Sequence, residues 1–360
     1  MKRYIFLIFM CALCMSLCRS YASESEVLFD TDEIERSVPR EAQEAVEGVQ
    51  PRNPKEALGR GLGNLLRLAS ALSGTALGEG IKIAAAIALI AALYGAAVSL
   101  LRDTNPQYIK IAAVLAIAAL SVTGTQSFIV QARDVLGQFE VYSKTLLAGL
   151  AVVTAAAGEP AQATVKQAVT IFAVNMWITM YDRLLIPLFY IYAALVTLNA
   201  ALTRDILKRL AGLIKWLVGG ILSLSLIAFT AYLSISGAIA GKSDELALRA
   251  ARAALSGGVP VVGSIISDAS ETVLAGAGVI KTGLGVFGLI AVLGIAAGPV
   301  ISLGVRYIIF KLGAALAGTV GDDAVAGYVD DLAGLYALLL AVVASSAFLL
   351  LISVASCIMR

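Results

Sequence analysis

"LYALLLAVVASSAFLLLISVASC", Leu335 to Cys357, is a run of 23 residues without a charge or a proline. As a helix it would rise about 35 Å, enough to cross the roughly 30 Å hydrocarbon core of a bilayer. The run has many companions. Eight further stretches read as candidate spans: Ile81–Leu101, Ile109–Val130, Thr145–Ala157, Val165–Tyr181, Leu184–Leu202, Trp216–Ala238, Val273–Gly298 and Val300–Val320. Thr145–Ala157 is short for a crossing, which leaves a re-entrant reading open for it. The expectation is an all-α, polytopic helical membrane protein of about nine spans, occupying residues 81–357 and surrounded by membrane lipid.

Composition agrees with that class. Hydrophobic residues make up 59% of the 360, charged residues 14%, and the mean hydropathy is +0.88. A water-soluble domain of this length needs far more polar surface. The net charge of +2 and the lack of a basic run argue against nucleic acid as a partner.

The N-terminus reads as a signal peptide, residues 1–22. Lys2 and Arg3 precede an apolar core, Tyr4–Leu17, and Ser20-Tyr21-Ala22 offers small residues for cleavage after Ala22. Residues 23–52 are acidic and polar and read as an exported, partly helical, solvated tail. Residues 53–73 follow as an amphipathic helix, with Asn53 as N-cap and Pro54 at the first helical position. Leu58, Leu62, Leu65, Leu66, Ala69 and Leu72 line one face of it, suiting a surface helix or one packed on the bundle.

Lysine and arginine placement gives a topology. The loop with Arg204, Lys208, Arg209 and Lys215 is assigned to the cytoplasm, and the acidic loop Gly321–Gly334 to the opposite side. Nine crossings then place an exported N-terminus opposite a cytoplasmic C-terminus.

Enzyme chemistry finds little support. The chain contains no histidine, and its four cysteines fall at 11, 14, 18 and 357, leaving one after signal cleavage. Imidazole-dependent catalysis and cysteine metal clusters are thereby excluded. "GLGVFG", Gly283–Gly288, matches a dinucleotide-binding string but lacks the preceding strand and the acid about 20 residues on. It reads as glycine packing within a helix. Asp268 and Glu271 share the spacing of a capping box and read as caps rather than an acid–base pair. No cofactor is expected. Lys281 and Arg306 stand inside apolar runs, where a charge costs at least about 2.5–3.5 kcal/mol and faces protein or water. Lys311, nearer a run's end, suits snorkelling or pairing. "GTALG" (Gly74–Gly78), "GAIAG" (Gly237–Gly241) and "GIAAG" (Gly294–Gly298) offer close helix packing.

The block "GGVPVVGSIISDASETVLAGAGVIKTGLGVFGL", Gly257–Leu289, resembles the signature region of the stage III sporulation protein AE family. Pro260, Gly263, Asp268 and Glu271 fall in its most specific part. The resemblance implies a membrane protein of endospore formers, set in the mother-cell membrane around the engulfed forespore. It implies partners from the same operon, including an ATPase-like subunit and ring-forming subunits, that together make a channel or feeding apparatus. It carries no catalytic residues onto this chain. The candidate structural or functional positions are therefore Pro260, Gly263, Asp268, Glu271, Lys281 and Arg306. The competing expectation is a self-contained secondary transporter for a small solute, with Val259–Asp268 as a mid-membrane break.

Overall fold

The computed structural model describes residues 36–49, 54–100, 106–156, 160–202, 205–235, 283–320 and 323–358. Ala22, Pro260, Gly263, Asp268, Glu271 and Lys281 lie outside the described residues, as do "GAIAG" and the segment Val259–Asp268. Among the described residues every regular element is helical. The elements are α1 (Arg40–Val46), α2 (Pro54–Leu100), α3 (Pro106–Ala156), α4 (Pro160–Met180), α5 (Ile186–Leu202), α6 (Asp205–Ile235), α7 (Gly283–Val320) and α8 (Asp323–Ile358). A π-helical turn, Tyr181–Leu185, joins α4 to α5.

Three helices begin on a proline: Pro54, Pro106 and Pro160. The first helical position tolerates proline because its amide has no intrahelical acceptor there. Interior prolines do not stop the chain. Pro187 cannot donate a hydrogen bond, and just before it the Ile186 amide reaches back five residues to the Tyr181 carbonyl. That widened turn carries the helix through the place where the sequence suggested a boundary between two spans. Pro299 likewise sits inside α7, so "GP" does not end that helix.

Among the described residues, six helical segments are long and apolar enough to cross a membrane: 59–100, 107–148, 169–202, 207–234, 285–319 and 325–355. Three pairs among the nine expected spans are continuous. Ile109–Val130 and Thr145–Ala157 both belong to α3, so the short second run is the far end of a 51-residue helix rather than a re-entrant piece. Val165–Tyr181 and Leu184–Leu202 join through the π turn, and Val300–Val320 continues from the described part of Val273–Gly298. Hydropathy reports polarity, whereas a helix is interrupted only by lost backbone bonding. Gln131–Lys144, though polar, is rich in good helix formers.

Side-chain pairs fix the directions. Gly61 lies against Ile290 and Gly80 against Ile309, so α2 runs parallel to α7. Leu146 meets Gly288 and Gln131 meets Ser302, so α3 runs antiparallel to it. α8 returns antiparallel along α7 through Lys311–Asp330 and Gly318–Ala326. Thr197–Tyr328 and Tyr192–Asp331 set α5 against α8, and Thr170–Tyr232 sets α6 against α4. The six long helical segments therefore alternate. At one end of the bundle, the hairpin end, α2, α5 and α7 finish and α3, α6 and α8 begin.

That arrangement overturns the expected topology. The Lys215 ammonium reaches Gly334, and Asp331 lies among Lys215, Lys208 and Lys311. The basic loop and the acidic loop thus share the hairpin end instead of facing opposite sides. Opposite charges attract when they meet, a contact that loop counting cannot anticipate.

The α7–α8 hairpin is the centre of the bundle. The apolar stretches of these two helices are mostly covered, while that of α2 is mostly open. Large exposed apolar side chains such as Leu89, Leu93, Leu115, Leu120, Trp216 and Leu224 decorate the outer helices. Such a surface suits lipid.

The segment Arg36–Val49 differs from a solvated tail. Val38, Ala42, Ala45, Val46 and Val49 are buried. Gly294 of "GIAAG" provides the groove: a Cβ there would come 2.7 Å from that of Ala45 and 3.1 Å from that of Ala42. Gly48, at φ +68°, turns the chain toward α2. Arg60 donates to the Gly48 carbonyl at 3.2 Å and Asn64 to the Glu47 carbonyl at 2.9 Å. The acids mark the solvent face of α1 and say nothing about its small apolar face, which is how a tail reading arises. The "GTALG" glycines meet no close neighbour, so they pack nothing among the described residues.

Candidate functional site

Two polar features stand inside this apolar bundle, and both lie along α3. The first is centred on Arg306. Among the described residues it is the one charged side chain in the buried class, 8% exposed. It sits one turn beyond Ser302, near the middle of α7. Its guanidinium carbon lies 5.0 Å from the centroid of the Phe128 ring on α3. The Phe128 ring meets Tyr336 of α8 edge-on at 5.6 Å, and Tyr336 also packs on Phe310 at 4.9 Å. The Tyr336 hydroxyl and Thr125 Oγ1 are hydrogen-bonded at 3.1 Å. The helix periods of α3, α7 and α8 thus bring four separated aromatic and polar positions together around one cation.

Arg306 forms an ion pair directed outward, to Glu79 of α2 at 3.5 Å. Glu79 is 74% exposed, so water screens that attraction and its contribution is under about 1 kcal/mol. The aromatic face contributes about 0.5–2 kcal/mol, more as water is excluded. Neither offsets the removal of a guanidinium from water in full. A fixed cation that exchanges no proton can hold an anionic group or pair with a partner, but it cannot act as general acid or base.

The second feature is a cleft of about 820 Å³ between the N-terminal segment and α3. Arg36 and Arg40 line one wall; Arg133, Asp134 and Glu140 line the other, with Asp182 of the π turn beside them. Arg133 Nε donates to Asp182 Oδ1 at 2.9 Å. Gln138 donates to Glu41 at 3.3 Å, tying α3 to α1, and Lys144 pairs with Glu140 at 2.8 Å within its own helix. Near the opposite end, Lys311 pairs with Asp330 across the α7–α8 hairpin.

Of the six candidate positions Pro260, Gly263, Asp268, Glu271, Lys281 and Arg306, only Arg306 is described; Lys311, expected to snorkel or pair, pairs with Asp330. Phe128, Glu79 and the α3 charges were not singled out. The signal of the α3 charges was the polar run Gln131–Lys144 between two apolar ones, which reads equally well as a loop, whereas Phe128 and Glu79 carried none. Among the described residues no group of three or more His, Cys, Asp or Glu side chains could hold a metal ion.

A model of the family described as Stage III sporulation protein AE matches residues 48–360. The chain belongs to the stage III sporulation protein AE family. A relative of that name from Bacillus subtilis (strain 168) is 25% identical over 224 residues, covering 61% of this chain and 56% of the relative. The match thus spans a little over half of the relative's length. No solved structure matches the chain. The family is one of sporulation proteins, and the six long apolar helices among the described residues fit a membrane protein. The match begins at Gly48, so α1 and most of the cleft's first wall fall before it.

Proposed function

We propose that the chain is a non-enzymatic, multi-pass subunit of a channel-like or secretion-like apparatus joining mother cell and forespore. It sits in the mother-cell membrane around the engulfed forespore and works with the other stage III sporulation proteins, including an ATPase-like subunit and ring-forming subunits. The observation that carries this reading is the family match over residues 48–360 on a bundle of six apolar helices. A signal peptide cleaved after Ala22 exports the N-terminal segment. The hairpin end, with Lys208, Arg209 and Lys215, then faces the cytoplasm, in keeping with the bias of basic loops. Six crossings put the C-terminus on the exported side with α1.

Purification of the tagged chain from sporulating cells tests the assembly. The expected result is co-purification of the other stage III proteins in one large complex. Recovery as a lone protein under mild detergent would overturn it. Reconstitution tests the competing reading of a self-contained transporter: the isolated subunit should leave liposomes tight, and solute flux through it would favour the transporter.

A further inference from the structure

The outer surface of α3 changes character halfway along. From Tyr108 to Val130 its exposed large side chains carry no charge and, apart from Gln126, are apolar: Tyr108, Leu115, Leu120, Val122 and Val130. From Arg133 to Lys144 they include Arg133, Asp134 and Lys144. The change occurs beside Gln131, which accepts a hydrogen bond from Ser302 at mid-length of α7, so the charged half lies alongside the apolar core hairpin. α2 repeats the pattern. Its half toward the hairpin end exposes Ile81, Leu89, Leu93 and Leu100, with Lys82 as its one exposed charge at the boundary, while the other half exposes Arg60, Arg67, Ser70 and Glu79 beside Leu66 and Leu77.

Length makes a choice unavoidable. The apolar segments of α2 and α3 are each 42 residues, about 63 Å as helices and twice the hydrocarbon thickness. Only half of each can lie in lipid, and the exposed side chains say which half. The polar halves run together, because α2 and α3 are antiparallel neighbours. Arg36–Val49 covers the same end.

We propose that the charged outer face of α3 from Arg133 to Lys144, with the matching half of α2, stands in water, and that the cleft roofed by Arg36–Gln43 is an aqueous site open to small hydrated solutes. Charges of both signs line that cleft, so it admits water and polar solutes and excludes acyl chains. This rests on reading the chain as a membrane protein whose hairpin-end half lies in lipid.

The experiment uses the full chain, expressed without partners, with its native cysteines replaced by serine. Single cysteines are placed at Ser70, Asp134 and Gln138 and, as lipid-side references, at Leu93 and Leu115. All five positions are exposed or partly exposed, and Leu93 and Leu115 are 61% and 54% exposed, so burial in the protein does not separate the sets. A membrane-impermeant, thiolate-directed reagent is applied to membranes opened on both faces. Since it reacts with the hydrated thiolate, the first three should react at least about 100-fold faster than the references. If Asp134→Cys and Gln138→Cys react as slowly as Leu115→Cys in protein that keeps its detergent gel-filtration profile, the aqueous cleft is wrong. If all five react quickly, the lipid placement fails, and with it the membrane reading on which the proposal stands.

Discussion

Arg306 holds its guanidinium 5.0 Å from the centre of the Phe128 ring, while its carboxylate partner among the described residues, Glu79, stands largely in solvent. The cation is thus fixed by an aromatic face inside the bundle and tethered only loosely at its surface. Stability should follow that division. Glu79→Gln should cost under about 1 kcal/mol and Phe128→Leu about 1–2 kcal/mol, measured by thermal or denaturant unfolding in detergent. Arg306→Met removes a buried charge and strands nothing buried, so the protein should reach normal abundance. Sporulation should nevertheless fall, because the charge is costly to keep if it has no task. Normal sporulation with Arg306→Met would show the cation to be dispensable.

A second prediction concerns the N-terminal segment. Gly294→Ala places a methyl group against Ala42 and Ala45, whose Cβ atoms cannot rotate away. α1 must then lift or the helices must part, costing about 1–3 kcal/mol. Trypsin should cut at Arg36 or Arg40 faster in Gly294→Ala than in the parent chain. Gly80→Ala meets only the flexible end of Ile309 and should be milder. Equal protection of α1 in the parent and in Gly294→Ala would refute the groove.

The π turn supplies a third. Ser225 Oγ donates to the Leu222 carbonyl at 2.8 Å and so accepts from the Tyr181 hydroxyl; both side chains are buried. Ser225→Ala leaves the tyrosine hydroxyl without its partner, at a cost of about 1–2 kcal/mol. Adding Tyr181→Phe should recover most of that loss. A double variant no more stable than the single one would mean that the contact contributes little.

Topology gives the fourth. With six alternating crossings, cysteines placed at Arg204 and at Gly321 should be labelled by an impermeant reagent from the same side of the membrane, the cytoplasmic one. Nine crossings with the two loops opposed predict labelling from opposite sides.

How much of this was legible beforehand depends on which physical signal each element carries. Helical class and membrane setting follow from apolar length alone, as Leu335–Cys357 illustrates. The helix start at Pro54 was equally readable, because proline's missing amide acts locally, whereas the starts at Pro106 and Pro160 lie ahead of the spans read from Ile109 and Val165. The burial of Arg306 was foreshadowed by its place within an apolar run. Its partners were not, since Phe128 and Tyr336 meet it only after three helices pack.

The sequence by itself determined that this chain is a helical membrane protein without histidine chemistry, and its signature block pointed to a sporulation family. Tertiary structure decided the continuity and direction of the described long helices, the seat of α1 against Gly294, and the meeting of the basic and acidic loops at one end. The reason is physical. Hydrophobicity and backbone bonding are properties of a segment, whereas burial of a small apolar face, pairing of distant charges and exposure of half a long helix exist only once neighbours are in place.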